Sequence, residues 1–356
     1  MGKSKGGDEK MLIATLPTMV GEESIKLSEE IISSPLIDAV RYNSGGSSPY
    51  APKQILEILK PIADRYKKIL YIDLEGRQMR IACWTPHSRG MVVLNRDFEI
   101  ELPAMIHFRR VGWFDIVNVL PEERKIFFQP RNTRQEYYFG ESQSVNIVAK
   151  NFEVIGDYCA NLDTDYIKAA VELGIRHFML SFVENLSDLR NFYEICINSF
   201  RKFHGFNSSD ASLFPIIVLK IESQKGLEFI RVMSDLLMKK SQLRLTFMAA
   251  RDDLFLSFVN NRADFLEALK LIVKKDKNAI LASRIMSGLE FGNEVSLGDM
   301  ADLTLMKQFG YKNFMFSDEL SSRFEETMQN WQEIIVPLLA KNKMKIPAGE
   351  KNENAK

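Results

Sequence analysis

The chain has 356 residues, enough for one large core, and it balances 47 Lys plus Arg against 47 Asp plus Glu. Zero net charge leaves no electrostatic footprint for nucleic acid or an anionic membrane, and no apolar run reaches the roughly 18 residues that a bilayer span needs. Three widely spaced cysteines, Cys83, Cys159 and Cys196, odd in number, point to free thiols in a reducing, cytoplasmic setting.

Residues 1–10 are rich in Gly and Lys and are expected to be disordered. A first strand is expected over Met11–Thr15, a helix over Glu22–Ser34 and a second strand over Leu36–Asn43, which runs into the loop Ser44–Pro49. Pro52–Tyr66 carries a broad apolar stripe and reads as a helix, followed by a third strand, Ile69–Asp73. From 84 to 145 the rhythm changes to short alternating runs between polar turns. This predicts a small all-β domain inserted into one βα loop. Helix and strand then alternate again, with strands at His177–Val183, Pro215–Glu222, Leu245–Arg251, Ala279–Ser283 and Asn313–Phe316. A last helix is expected over Ser321–Leu339, and 341–356 reads as a solvated tail. Eight strands with intervening helices over 11–83 and 146–340 predict an α/β fold, a (β/α)8 TIM barrel with an all-β insertion after the third strand. A doubly wound open sheet fits less well, because no Gly-rich dinucleotide fingerprint follows the first strand.

Chemistry is expected at the carboxyl ends of two of these strands. Ile216–Glu222 and Phe247–Asp253 are apolar runs that end in charge, as buried parallel strands do when they reach a site. Side chains alternate along a strand, so Lys220 and Glu222 are expected on one face, as are Arg251 and Asp253. Glu222 and Asp253 are suited to share a hard divalent cation, with Lys220 and Arg251 beside it to hold an anion. The plain alternative is two strand ends dipping charge into solvent; recurrence in consecutive strands favours a site. His87, His107, His177 and His204 are scattered without ligand spacing.

In strand order, the chain resembles the pyruvate kinase family over about residues 11–340. The resemblance is carried by Ala14-Thr15-Leu16, Arg41-Tyr42-Asn43, Asp73-Leu74-Glu75-Gly76-Arg77-Gln78-Met79-Arg80 and Ser181-Phe182-Val183. It continues through Lys220-Ile221-Glu222, Ala250-Arg251-Asp252-Asp253-Leu254, Ala282-Ser283 and Ser317-Asp318-Glu319. It implies phosphoryl transfer from phosphoenolpyruvate to ADP, giving pyruvate and ATP. By that resemblance Glu222 and Asp253 hold Mg2+ or Mn2+, while Lys220 and Arg41 face the transferring phosphoryl group. Ser283 stands beside the enolate carbon, and Arg80 and Arg251 buttress the site or contact phosphate. The main chain at Asp252 and Asp253 receives the substrate carboxylate, and Asn43 and Asp73 correspond to ligands of K+. The β insertion then acts as a lid over the nucleotide.

The departures from the family pattern bear on activity. Gly45-Gly46-Ser47 replaces a Ser-His-Gly, Leu74 a threonine and Gln78 a glutamate, which leaves K+ dependence open. Asp252 replaces a glycine and sets a carboxylate beside an anionic substrate, the strongest sign of weakened or altered activity. The chain stops where the family's regulatory C-terminal domain would begin, so the usual allostery is not expected, and a homodimer or monomer is expected in place of a tetramer. Two other readings stay open at this level. One is a catalytically silent relative that binds a phosphorylated or carboxylate ligand; the other is a Mg-dependent lyase acting on pyruvate or oxaloacetate.

Overall fold

The structure is a computed structural model that describes residues 10–109, 111–129, 138–205, 214–233 and 244–340. The tails expected over 1–10 and 341–356 lie outside these residues, apart from Lys10. Three strands open the chain: β1 (Leu12–Thr15), β2 (Ala39–Asn43) and β3 (Ile69–Leu74). Nine short strands follow: β4 (Thr85–Pro86), β5 (Met91–Val93), β6 (Phe98–Ile100), β7 (Ala104–Phe108), β8 (Gly112–Leu120), β9 (Lys125–Phe128), β10 (Tyr138–Phe139), β11 (Val145–Ala149) and β12 (Phe152–Val154). Five more complete it: β13 (His177–Leu180), β14 (Ile216–Ile221), β15 (Arg244–Ala250), β16 (Ile280–Ala282) and β17 (Asn313–Met315). The first three and last five close a parallel barrel in the order β1-β17-β16-β15-β14-β13-β3-β2. This is the (β/α)8 barrel that the alternation of elements predicts.

The period of two in each strand sorts its side chains between two cores. Ile13, Ala39, Tyr71, Met179, Val218 and Met248 cluster inside the barrel. Their neighbours Ala14, Val40, Ile72, Leu180, Leu219 and Ala249 face outward into the core beneath the helices. Two residues further along, the inward rows read Thr15, Arg41, Asp73, Ser181, Lys220 and Ala250. The same alternation that fills the barrel with apolar side chains therefore ends it in a layer that is polar at all but Ala250. All six are buried.

Strand β15 ends one residue earlier than expected. Arg251 starts a helix, Arg251–Ser257, so 251–253 turn through a helical first turn and Arg251 and Asp253 do not share a strand face. Acidic residues at 252 and 253 suit that helix start through its dipole.

The inserted β region is wider than 84–145. β12 pairs antiparallel with β6, and Met79, Ile81 and Val154 belong to its apolar core, so it spans roughly from Met79 to Val154. Its main sheet runs β11-β7-β8-β9-β5 around packed rings, among them Phe108 stacked on Phe139 at 3.9 Å. The last expected helix is broken into Asp318–Ser322, Phe324–Asn330, a π-turn at Trp331–Ile335 and Val336–Ala340. Among the described residues no helix is long and apolar enough to cross a membrane.

Candidate active site

At the carboxyl end of the barrel the Lys220 ammonium sits between two carboxylates. It lies 3.2 Å from Asp73 Oδ2 and 3.0 Å from Glu222 Oε1, and it donates to Ser181 Oγ at 2.8 Å. Burial alone would depress the Lys220 pKa, but Asp73 and Glu222 outweigh it and hold the ammonium protonated. Arg41 grips the same Asp73 oxygen through Nε and Nη2, both at 2.7 Å, and reaches Thr15 Oγ1 and Asp318 Oδ1 at 3.3 Å. Burial would raise the Asp73 pKa; Lys220 and Arg41 reverse this and hold its carboxyl below the usual carboxylate range.

Glu222 and Asp253 go the other way. Glu222 Oε2 accepts the Phe182 N–H at 2.8 Å, offered by a residue in left-handed backbone at φ 51°. Burial pushes the Glu222 pKa up to about 7, and the neighbouring Asp253 charge adds to this against the pull of Lys220. Asp253 is raised as well, by burial, with Asn146 partly offsetting it through Nδ2, which donates to Oδ1 at 2.9 Å. Two carboxylates, Glu222 buried and Asp253 half-buried, that repel one another and lack a full complement of cations are a place where added positive charge is stabilising.

Both carboxylates border a cavity of about 790 Å3 between the barrel mouth and the inserted sheet, a size typical of small-molecule sites. Arg41, Asn43, Arg80, Lys220, Asp252 and Ser283 also line it, so most of the residues expected from sequence meet in one place. Asp73 does not line it, and neither does Arg251. Its guanidinium donates to the Ser283 and Arg284 carbonyls at 3.0 and 2.7 Å and holds Asp302 through both oxygens at 2.8 and 2.7 Å. Ser283 and Arg284 are both left-handed, at φ 62° and 53°, so Arg251 braces a strained turn from below. It supports Ser283 and makes no wall of the cavity. Asp252 does face the cavity, but Arg284 pairs with it at 2.6 Å and Arg109 stands 3.7 Å away. Arg80 is tied to Glu75 and Gln78 and donates to the Ser142 carbonyl at 2.7 Å, fastening the third-strand loop to the insertion. Gly45 leaves room for this arrangement: a Cβ there would fall 2.3 Å from the Arg80 guanidinium and 2.6 Å from Glu75 Oε1, so both side-chain ends would have to shift.

No protein-family model matches the sequence, and no curated relative does either. Solved structures do match. A crystal structure of Cryptosporidium parvum pyruvate kinase aligns over 93% of this chain and 70% of its own, with a TM-score of 0.68 and 16% sequence identity. The fold is pyruvate kinase-like. At that identity the likeness speaks for the architecture alone.

The two cations that a pyruvate kinase reading calls for meet different receptions here. Among the described residues no group of three or more His, Cys, Asp or Glu is placed to hold a metal. A Mg2+-type ion needs less, since it keeps waters and commonly takes one or two carboxylates plus substrate oxygens. Glu222 and Asp253, raised in pKa and facing one cavity, fit that donor set. At Asp73 and Asn43 the side-chain oxygens already have protein partners. The Asp73 side chain is occupied by Arg41, Lys220 and the Ser181 hydroxyl, and Asn43 Oδ1 accepts the Gly45 N–H at 3.2 Å. Asp73 works instead as the counter-ion that holds Arg41 and Lys220 side by side.

Several residues of the site were not singled out from sequence for a role. Ser181 follows Met179 on the inward face of β13, so the period of two would have found it. Arg109 and Asn146 come from the insertion, and nothing local in the sequence marks them.

Proposed function

We propose that this chain carries out pyruvate kinase-like phosphoryl transfer from phosphoenolpyruvate to ADP, dependent on Mg2+ or Mn2+. One observation carries the reading: a buried, protonated lysine stands within 3.2 Å of Asp73 and 3.0 Å of Glu222, beside an arginine on one side and the Glu222 and Asp253 carboxylates on the other. Phosphoryl transfer asks for positioning and positive charge far more than for covalent chemistry. A divalent ion on Glu222 and Asp253 would supply neutralisation of the enolate and phosphoryl oxygens. Lys220 offers a point charge to the phosphoryl group in flight, and Arg41 a planar fork to the same oxygens. Asp73 pairs with both and holds them in register. Ser283, set in place by Arg251, presents a hydroxyl that can pass a proton toward the enolate carbon. Arg284 and Arg109 neutralise Asp252, which removes much of the repulsion that a carboxylate would cause beside an anionic substrate. The inserted sheet acts as the lid and shields these charges from water.

A specific observation favours a second reading, a silent relative that binds the ligand without turning it over. Among the described residues seven carboxylates and five cationic side chains line the cavity, and Arg41 and Lys220 are already paired. Pyruvate formation from phosphoenolpyruvate with ADP and Mg2+ separates the two. Turnover that is lost in Lys220→Met supports the kinase. Binding of Mn2+ and oxalate without any turnover supports the silent relative, and absence of both removes the site.

A further inference from the structure

The opposite end of the barrel holds a second cavity, of about 600 Å3. Lys10, Lys270, Lys274, Lys277, Lys307 and Lys312 line it, and among the described residues no carboxylate does. Lys10 precedes β1, Lys277 precedes β16 and Lys312 precedes β17, so the cavity lies at the amino-terminal strand ends, away from the site described above. In a chain with 47 positive and 47 negative side chains, such an excess is a matter of placement, not of composition.

Helix dipoles account for part of it. Lys274 and Lys307 lie in the last turns of the helices Phe265–Lys275 and Leu297–Phe309, where cations are favoured. Lys10 and Lys277 come from segments that lead into strands, and no helix turn gives them that return. Lys270 lies 5.0 Å over the ring of Phe309, with Glu267 2.7 Å from its ammonium. Val273, Phe309 and Leu339 give the cavity an apolar wall, which focuses the field of the surrounding ammonium groups. A singly charged anion gains little from such a ring over water. One that carries several charges close together gains from more than one lysine at once.

We propose that this cavity binds a small ligand through clustered phosphates, either a free polyphosphate or the triphosphate of a nucleotide. Ammonium groups on flexible stems are point charges that can follow a phosphate chain, whereas the planar fork of arginine would demand a fixed geometry.

The test is amine-labelling of the full chain, read lysine by lysine by mass spectrometry, together with calorimetric titration of inorganic tripolyphosphate in a chelator-containing buffer. Tripolyphosphate is expected to protect Lys10, Lys274 and Lys277 while leaving the distant Lys26 and Lys168 labelled. Orthophosphate is expected to bind at least about tenfold more weakly than tripolyphosphate. Lys274→Glu with Lys277→Glu should weaken tripolyphosphate by at least about tenfold, and Lys26→Glu with Lys168→Glu, an equal charge change elsewhere, should leave it within about twofold. Both lysine pairs are exposed, and a thermal melt checks that each variant folds. Equal protection by ATP and tripolyphosphate identifies the phosphate chain as the recognised group; tighter protection by ATP brings its ring into the cavity. Uniform protection of all exposed lysines, no protection at all, or equal weakening by both variant pairs overturns the proposal.

Discussion

Asn146 Nδ2 donates to Asp253 Oδ1 at 2.9 Å, so a strand of the inserted sheet holds the carboxylate of the barrel on which metal binding is proposed to depend. The bond favours the ionised carboxyl against the burial that opposes it. Asn146→Leu should therefore make Asp253 easier to protonate and weaken Mn2+ binding several-fold at neutral pH. It should also lower unfolding stability by about 1–2 kcal/mol through the lost bond. A Mn2+ titration followed by paramagnetic resonance, beside urea unfolding, reads both. An unchanged Mn2+ affinity would detach Asn146 from the site.

Lys220→Met removes the ammonium shared by Asp73 and Glu222 and leaves two buried carboxylates facing each other. The expected loss is about 3–5 kcal/mol near pH 8, as for a broken buried ion pair, and less near pH 5, where protonation of Glu222 relieves part of the repulsion. Denaturant unfolding at both values measures it. Equal losses at the two pH values would mean that Lys220 is not the main partner of these groups.

Arg251→Lys keeps the charge but loses the fork that spans Asp302 and the Ser283 and Arg284 carbonyls. The left-handed turn then lacks its brace, and unfolding stability should fall by about 2–4 kcal/mol. If the proposed activity is present, kcat should fall more than KM rises, because Ser283 moves while the binding groups stay. A rise in KM alone would instead place Arg251 in substrate binding.

Asp163 tests the support beneath the site. It is fully buried and accepts the N–H groups of Glu75 and Gly76 at 2.9 and 3.0 Å, fixing the turn after β3. Burial, joined by the Glu75 charge, raises its pKa to about 7. The folded state thus holds a proton that the unfolded chain releases near the ordinary carboxylate value. Its contribution to stability is fully present at low pH and is lost as pH rises through about 7. Between pH 5 and pH 8 this amounts to roughly 2–3 kcal/mol. The stability difference between the wild type and Asp163→Asn should accordingly be larger at pH 5 than at pH 8, and a difference that grows with pH would show the sign to be wrong.

Replacing tetramethylammonium by K+ should leave both the melting temperature and any turnover unchanged, because Arg41, Lys220 and Ser181 already occupy the Asp73 carboxylate. A clear rise of the melting temperature with K+ would require those contacts to open.

Much of this protein is readable without coordinates, because two of its determinants are local. Apolar runs of strand length separated by amphipathic stretches specify the barrel, and the alternation along Ile216–Glu222 puts Lys220 and Glu222 on the face of Val218. Other features depend on contacts between residues far apart in the chain. At 251–253 the backbone leaves the strand for a helix, which sends Arg251 beneath the cavity and Asp253 into it. Asp73 reads by resemblance as a cation ligand until Arg41 and Lys220, 32 and 147 positions away, are seen to converge on it. The sequence by itself therefore determined the architecture and which charges sit at strand ends, since hydrophobic burial and strand period act over a few residues. Only the tertiary structure decided which of those charges neutralise one another and which stay uncompensated, because ion pairing depends on distance through space and on burial, and neither is written in the spacing along the chain.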